Sequence, residues 1–312
     1  MQVILRDVNE NREQWKQMRT STVGSSEIAT VCGLNRYQTP LGLWLQKTGR
    51  TESDFNDSDD RAWLGHEIES IIGRAYSRSS GVNVSAANCI VAHPTESWAT
   101  ASPDFFKVEP NGSRADWYSD NILGAVECKN VGHRMLHHWE DDNVPDAAHC
   151  QLIWQLGCCA LPSGTVAALL GGRDFVFRDF DYDASLMQTM LDVAGEFVRC
   201  LQSDTPPPAM AADRRVLDLM PRFDKQTDIN PELISIVRAY EDSQAQMKDI
   251  RKKLKALEDE SDGYRATLTQ ALGDSEHGKC LDYDISCVSK AHDGWTVSPG
   301  YRTYFKVKRI EN

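Results

Sequence analysis

The sequence predicts an α/β (α+β) protein: a central mixed sheet flanked by helices, then a C-terminal coiled-coil-like helical arm and a short β-hairpin. Three observations carry that reading. Short segments of strand character alternate with amphipathic helical segments from residue 9 to residue 202. Three consecutive prolines at 206–208 then interrupt the chain with a stiff spacer. Beyond them the apolar residues fall into a three-four spacing, and a last pair of alternating segments follows. The predicted organisation is a domain over 1–205 and an arm with terminal strands over 206–312.

In chain order, a helix begins near Asn9 and runs through Trp15 and Met18. Ser25 or Ser26 can cap a short helix from Glu27 to Cys32, stopped by Gly33. Pro40 sits in the first turn of the helix that ends at Gly49. Leu64, Ile68, Ile71, Ile72, Ala75 and Tyr76 recur on one face, so residues 62–81 read as an amphipathic helix ended by Gly81. VNVSAANCIVA, SWATASPD, FFKVE and LGAVECKNV have strand character, separated by Pro and Asn-Gly turns, and resemble a meander of antiparallel strands. Helices follow near 133–141 and over 146–160. TVAALLGGRDFVFRDFDYD then reads as two strands about a Gly-Gly turn, and a helix over 184–202 ends the block. From Glu232 to Leu272 the spacing gives either one long coiled-coil-like helix or a helical hairpin broken near Asp262-Gly263. CLDYDISCVSK and GWTVSPGYRTYFKVKR alternate like a pair of strands.

Composition narrows the function. With 41% hydrophobic and 26% charged residues in 312, the chain can bury a sizeable core. No apolar run is long enough to span a membrane, and MQVILRDVNENREQW is too polar and acidic for a signal peptide, so a cytoplasmic protein is expected. Nine scattered cysteines without a C-x-x-C pair read as buried free thiols, not a zinc ribbon or an iron–sulfur site. The net charge of −12 argues against a protein that merely coats nucleic acid, but not against a nuclease, which needs clustered carboxylates. ESDFNDSDD, residues 52–60, carries much of the excess and reads as an exposed mobile loop.

The informative segment is Ser102-Pro103-Asp104, followed by Glu127-Cys128-Lys129. Residues two apart on a strand share a face, so Glu127 and Lys129 project together while Cys128 faces the apolar side. Asp104, at the end of a neighbouring strand, can converge on them. Converging carboxylates suit Mg²⁺ or Mn²⁺, and a lysine beside them can position a water and offset charge on a phosphate. Glu-x-Lys is common, but this is the single Asp/Glu-x-Lys triplet in the chain, and it follows a Pro-Asp.

This arrangement resembles the PD-(D/E)xK nuclease superfamily, and within it the YqaJ-type viral recombinase / phage lambda exonuclease family. WKQMRTSTVGSSEIATVCGLNRYQTPLGLWLQKTGR, LGHEIESIIGRAYSRSSGVNV, ATASPDFF, GAVECKNV, AAHCQLIWQLGCCAL and LLGGRDFVF match the family's blocks in order, over residues 12 to about 202. The resemblance implies a restriction-endonuclease-like core. It implies Glu69, Asp104 and Glu127 as metal ligands for Mg²⁺ (Mn²⁺ as alternative), two ions per site, with Lys129 and Gln151 completing the catalytic set. Glu67 competes with Glu69, but on a helix the two point about 200° apart. Arg19 and Ser26 match the residues that hold a 5′-phosphate, and Arg36 falls in a loop where the family approaches DNA, although an ordinary surface role suits it equally. The family's second helix glutamine is replaced by Ile153, with Gln155 nearby.

The function so implied is a metal-dependent exonuclease that degrades the 5′-phosphorylated strand of linear duplex DNA and leaves a 3′ overhang. Double-stranded DNA ends and a single-strand annealing protein are the implied partners, with a homo-oligomer, in the family a trimeric ring, and a phage or prophage origin in a bacterial host. An endonuclease of the same fold and a non-catalytic DNA-end-binding module are the alternatives. His133 and His137, four apart, lack a third ligand of obvious spacing and read as a solvated face. Trp139 and Trp154 read as core, and Cys158-Cys159 as buried. In the arm, KDIRKKLK and KVKR suit either a nucleic-acid grip or a packing and oligomerisation role.

Overall fold

A computed structural model describes residues 1–8, 10–51, 60–109, 121–141, 143–214, 217, 226–292 and 300–309. All but the last residue of the acidic stretch 52–60 lies outside the described residues. The chain divides into two compact units, Met1–Arg222 and Phe223–Asn312.

The first unit holds two sheets where the sequence suggested one meander. β3 (Asn83–Ala86) and β4 (Cys89–Ala92) are separated by Asn88, whose positive φ of 41° turns the chain from one sheet to the other. β4 joins β1 (Gln2–Arg6), β5 (Ala99–Ala101) and β2 (Val23–Gly24) in the order β1-β4-β5-β2. β1 carried no clear alternation in the sequence, yet it pairs with β4 from Gln2↔Ala92 to Arg6↔Cys89. β3 instead opens a five-stranded sheet with β6 (Phe105–Val108), β7 (Ile122–Val131), β8 (Ser163–Leu170) and β9 (Asp174–Asp181), in that order. β6 and β7 are antiparallel, β7 and β8 parallel, β8 and β9 antiparallel, which makes it the expected mixed sheet.

A parallel pair needs a crossover, and α5 (Asp146–Cys159) supplies it between β7 and β8. Leu152 and Leu156 of α5 lie against Gly164 of β8, and Ile153 and Trp154 are fully buried in the same core. α4 (Asp60–Ser80) covers the other face, where Ile72 and Tyr76 pack on Val126, Cys128 and Ala167. Alternation along β7 therefore sends Val126 and Cys128 towards α4, and Glu127 and Lys129 towards α5. α6 (Ala184–Gln202) buries Met187, Met190, Ala194, Phe197 and Val198, completing that core.

Local chemistry sets the helix ends. α1 runs Arg12–Arg19. α2 (Ile28–Val31) starts after Glu27, with no side-chain cap from Ser25 or Ser26. α3 (Pro40–Lys47) is capped by Thr39, whose hydroxyl accepts from the Gly42 amide at 3.0 Å. Gly33, Gly49 and Gly81 end their segments at positive φ, as their positions suggested. The helix expected near 133–141 is a 3₁₀ helix, His133–His138.

The residues just beyond the prolines pack on the first unit, which therefore extends to Arg222 and not to 205. Asp213 is buried there, accepting from the Thr39 hydroxyl and from the Met210 amide at 2.6 Å. In the second unit, Ile234–Leu272 is a single helix of 39 residues, continuous through Gly263, so the broken-hairpin reading is set aside. Its terminal sheet has three strands: β10 (His277–Cys280), β11 (Tyr283–His292) and β12 (Gly300–Arg309), all antiparallel. All nine cysteines are free.

Gly124, at the start of β7's buried stretch, lets β7 approach β8 closely. A Cβ there would meet the Ser163 carbonyl at 2.5 Å, a backbone atom with no rotamer to yield. Gly124→Ala is expected to lower the unfolding free energy by about 1–3 kcal/mol, measured by urea denaturation. An unchanged midpoint would show that the β7–β8 contact is not close-packed.

Candidate active site

One cleft of about 580 Å³ in the first unit is lined by Arg19, Ser26, Glu69, Asp104, Glu127, Lys129 and Gln151 among others. The elements around it explain why these side chains meet. Glu127 and Lys129 leave β7 on the α5 side, where Gln151 and Gln155 stand one helical turn apart. The Lys129 ammonium donates to Glu127 Oε1 at 2.6 Å and to Gln151 Oε1 at 2.7 Å. Gln155 Nε2 donates to the other carboxylate oxygen, Oε2, at 2.6 Å. Glu127 is 3% exposed, so without these donors its charge would be desolvated and unpaired.

Asp104 enters between β5 and β6, after Ser102 and Pro103. Its Oδ2 accepts from the Cys128 amide at 2.7 Å, tying it to the strand that carries Glu127 and Lys129. Burial pushes the Asp104 carboxyl well above the usual range, and the nearby charges of Glu127 and Glu69 push it the same way. Burial works against the Lys129 ammonium, but Glu127 and Asp104 outweigh it and hold the lysine above its ordinary value. Lys129 is thus a fixed cation at neutral pH.

Glu69 lines the same cleft from α4, with His66 Nδ1 3.1 Å from its Oε2. Glu67 is exposed and does not line it. The three carboxylates are hard oxygen donors of the kind Mg²⁺ and Mn²⁺ select. Among the described residues no three His, Cys, Asp or Glu side chains are already drawn into one ligand set. The repulsion that raises Asp104 is what a bound cation would relieve.

The cleft's basic wall is built on a buried acid. Glu27 is 6% exposed and accepts from Arg19 at 2.7 Å, from Lys47 at 2.9 Å and from the Gly24 amide at 3.0 Å. Lys47 also donates to the Arg19 and Thr22 carbonyls. Burial opposes both charges and depresses Lys47, but two cations beside Glu27 hold its carboxyl below the usual range. The guanidinium of Arg19 lies over the Trp15 ring at 4.7 Å, and Arg12 stacks on that ring at 4.2 Å. Ser26 is exposed at the cleft and Ser25 is buried beside it.

Arg36 is placed elsewhere. It contacts His138 Nε2 and lies over Tyr37, whose hydroxyl meets Met135. Neither Arg36 nor Tyr37 lines the cleft. Ile153 is core, while Trp154 donates from its indole to the Thr100 carbonyl at 2.9 Å within the core. His137 stacks on His138. Sequence reasoning left Gln155 unassigned and missed Glu27, Lys47, Trp15 and His66. For Glu27 the available signal was a lone acid opening the apolar run Ile28–Val31.

A carboxyl raised by folding holds its proton more tightly in the folded chain than in the unfolded one. Its ionisation therefore costs stability, which is greatest below the unfolded carboxylate range and falls as pH rises through it to the folded value. Asp104→Asn keeps an acceptor for the Cys128 amide and removes that cost. In chelator at pH 7 it is expected to raise Tm, by about 3–5 °C for each tenfold displacement of the proton equilibrium it abolishes. A lowered Tm would mean that the carboxylate is a net stabiliser.

Residues 14–164 match the model of the YqaJ-like viral recombinase domain. The protein YqaJ of Bacillus subtilis (strain 168) is 24% identical over 284 residues, covering 90% of this chain and 85% of that protein. Among solved structures, an alkaline exonuclease (LHK-Exo) from Laribacter hongkongensis aligns at 18% identity and a TM-score of 0.47, over 66% of this chain and 99% of that one. Its complex with dAMP aligns at 17% and 0.46, over the same shares. Residues 14–164, which hold the whole of Glu69, Asp104, Glu127, Lys129, Gln151 and the Arg19–Glu27 wall, are thus the part of the chain that matches the YqaJ-like viral recombinase domain.

Proposed function

We propose that this cleft is the active site of a metal-dependent DNA exonuclease, acting from the end of linear duplex DNA on the 5′-phosphorylated strand. The observation that carries the reading is the sharing of one cleft by two unlike groups. Asp104, Glu127, Lys129 and Gln151 form a carboxylate–ammonium cluster, and Arg19 and Ser26 bring a guanidinium and a hydroxyl of the kind that suits an anion. The match to a viral recombinase domain agrees with a nuclease role.

Glu69, Asp104 and Glu127 would hold Mg²⁺, or Mn²⁺, in one or two ions. When bound, such an ion lowers the pKa of water and neutralises charge on the scissile phosphate. The chain's own residues do the rest. Lys129, whose ammonium form is favoured by its contact with Glu127 and by nearby Asp104, serves here as a positive charge. It orients the attacking water or offsets charge on a phosphate oxygen as the new P–O bond forms and the bond to the leaving oxygen breaks. Gln151 and Glu127 fix where the ammonium stands, and Gln155 fixes Glu127.

Arg19 offers a planar donor fork steadied by Glu27 and Trp15, and Ser26 adds a hydroxyl, which together suit a terminal phosphate. Terminal recognition is what separates an exonuclease from an endonuclease of the same fold. A 3′ overhang handed to a single-strand annealing protein, assembly into a trimeric ring, and work in the cytoplasm of a bacterial host are further parts of this proposal, resting on the family resemblance.

The test uses linear duplexes bearing 5′-phosphate or 5′-hydroxyl, beside closed circular DNA, with added Mg²⁺. Loss of phosphorylated linear DNA with circles intact is expected. Lys129→Ala should slow it by about 10²–10³-fold. Arg19→Ala should erase the preference for the 5′-phosphate more than it slows the hydroxyl substrate. Cut circles would make the protein an endonuclease, and no cleavage with Mg²⁺ or Mn²⁺ would leave a non-catalytic DNA-end-binding module.

A further inference from the structure

The helix Ile234–Leu272 buries no residue, although its apolar side chains are spaced as a core. Numbered as heptads, Leu233, Tyr240, Met247, Leu254, Ser261 and Leu268 are a positions, and Ile236, Ser243, Ile250, Leu257, Tyr264 and Ala271 are d positions. Ile250, Leu254, Leu257 and Tyr264 are 61%, 53%, 62% and 62% exposed. An exposed stripe this long is a liability unless something covers it.

We propose that it is covered by the same helix of a second copy of this chain, running antiparallel about a two-fold axis between Lys255 and Ala256. Antiparallel helices set an a residue against a d residue in each layer. About that axis Met247 faces Tyr264, Ile250 faces Ser261, Leu254 faces Leu257, Ser243 faces Leu268 and Tyr240 faces Ala271. Each small side chain meets a large one, which fills the layers evenly. A parallel pair would stack Ser243 on Ser243, Ser261 on Ser261, and tyrosine on tyrosine at 240 and 264. The layers therefore select the antiparallel partner.

Flanking charges agree with that register. The g positions Lys253 and Glu260 face each other between copies, as do the e positions Arg251 and Glu258, and the two-fold axis generates each pair twice. Within one copy Lys253 touches Asp249 at 2.6 Å, and Glu260 accepts from the Tyr264 hydroxyl. A parallel dimer would also find pairs, Lys253 with Glu258 and Glu260 with Arg265, so charges alone do not choose the direction. A self-complementary two-fold contact is the commonest route to an oligomer. This inference stands apart from the nuclease chemistry and uses none of its residues.

Sedimentation of the full chain at low salt tests it. Leu254→Asp with Leu257→Asp should halve the particle mass, and Lys253→Glu alone should shift it towards the smaller species. Adding Glu260→Lys to Lys253→Glu restores the antiparallel pair with its signs exchanged, so the mass should recover. In a parallel dimer that same double variant would set Glu against Glu and Lys against Arg. Recovery by Lys253→Glu with Glu258→Lys, and not with Glu260→Lys, would overturn the antiparallel register. A mass indifferent to Leu254→Asp with Leu257→Asp would overturn the proposal as a whole.

Discussion

The site depends on one buried carboxylate. Glu127 sits in the centre of a sheet, under a helix, at a depth where a lone charge is expensive. Its two oxygens are held separately, one by Lys129 from its own strand and the other by Gln155 from α5. That division matters because it couples two elements. The parallel β7–β8 pair requires α5 as a crossover, and α5 in turn presents Gln151 and Gln155 to β7. The topology that packs the core also brings the donors to the acid.

A second buried carboxylate does the same work on the facing wall. Glu27 opens a helix too short to organise an anion site by itself, and it is the ion pairs that give the wall its rigidity. Removing one partner of such a cluster strands a charge and typically costs about 3–5 kcal/mol. This cluster sets two cations, Arg19 and Lys47, against one acid, a local excess of positive charge in a chain whose net charge is −12. The overall charge and the local field are therefore separate quantities. Only the local one bears on where a phosphate could settle.

How much of this was legible in the sequence follows from what each feature depends on. Glu127-Cys128-Lys129 was readable because a strand's alternation is local, and Gly33, Gly49, Gly81, Gly171 and Gly172 were readable because positive φ leaves few alternatives. β1 and the division into two sheets were not. They turn on Asn88 and on pairing between residues some ninety apart, which no local pattern encodes. Gln155 lay in an apolar run, and nothing in that run says that its amide faces a carboxylate from another strand. Arg36 was not decided by its sequence either. Its sequence position left a DNA contact and an ordinary surface role equally open, and the structure adds only that it stands beside His138 and outside the lining of the cleft.

Gln155 also bears on how the cluster responds to its surroundings. Its Oε1 is buried and meets no hydrogen-bond donor among the described residues, although its Nε2 is committed to Glu127. An unpaired buried acceptor costs about 1–3 kcal/mol, and the fold tolerates it where the gain is fixing a more costly charge. A leucine here would remove the orphaned oxygen and keep the volume, yet would leave Glu127 Oε2 without a donor. The glutamine is therefore kept for what its nitrogen does, which is to set one amide donor against one buried carboxylate oxygen. Stability and site geometry pull in opposite directions at this position, and the structure settles in favour of the geometry.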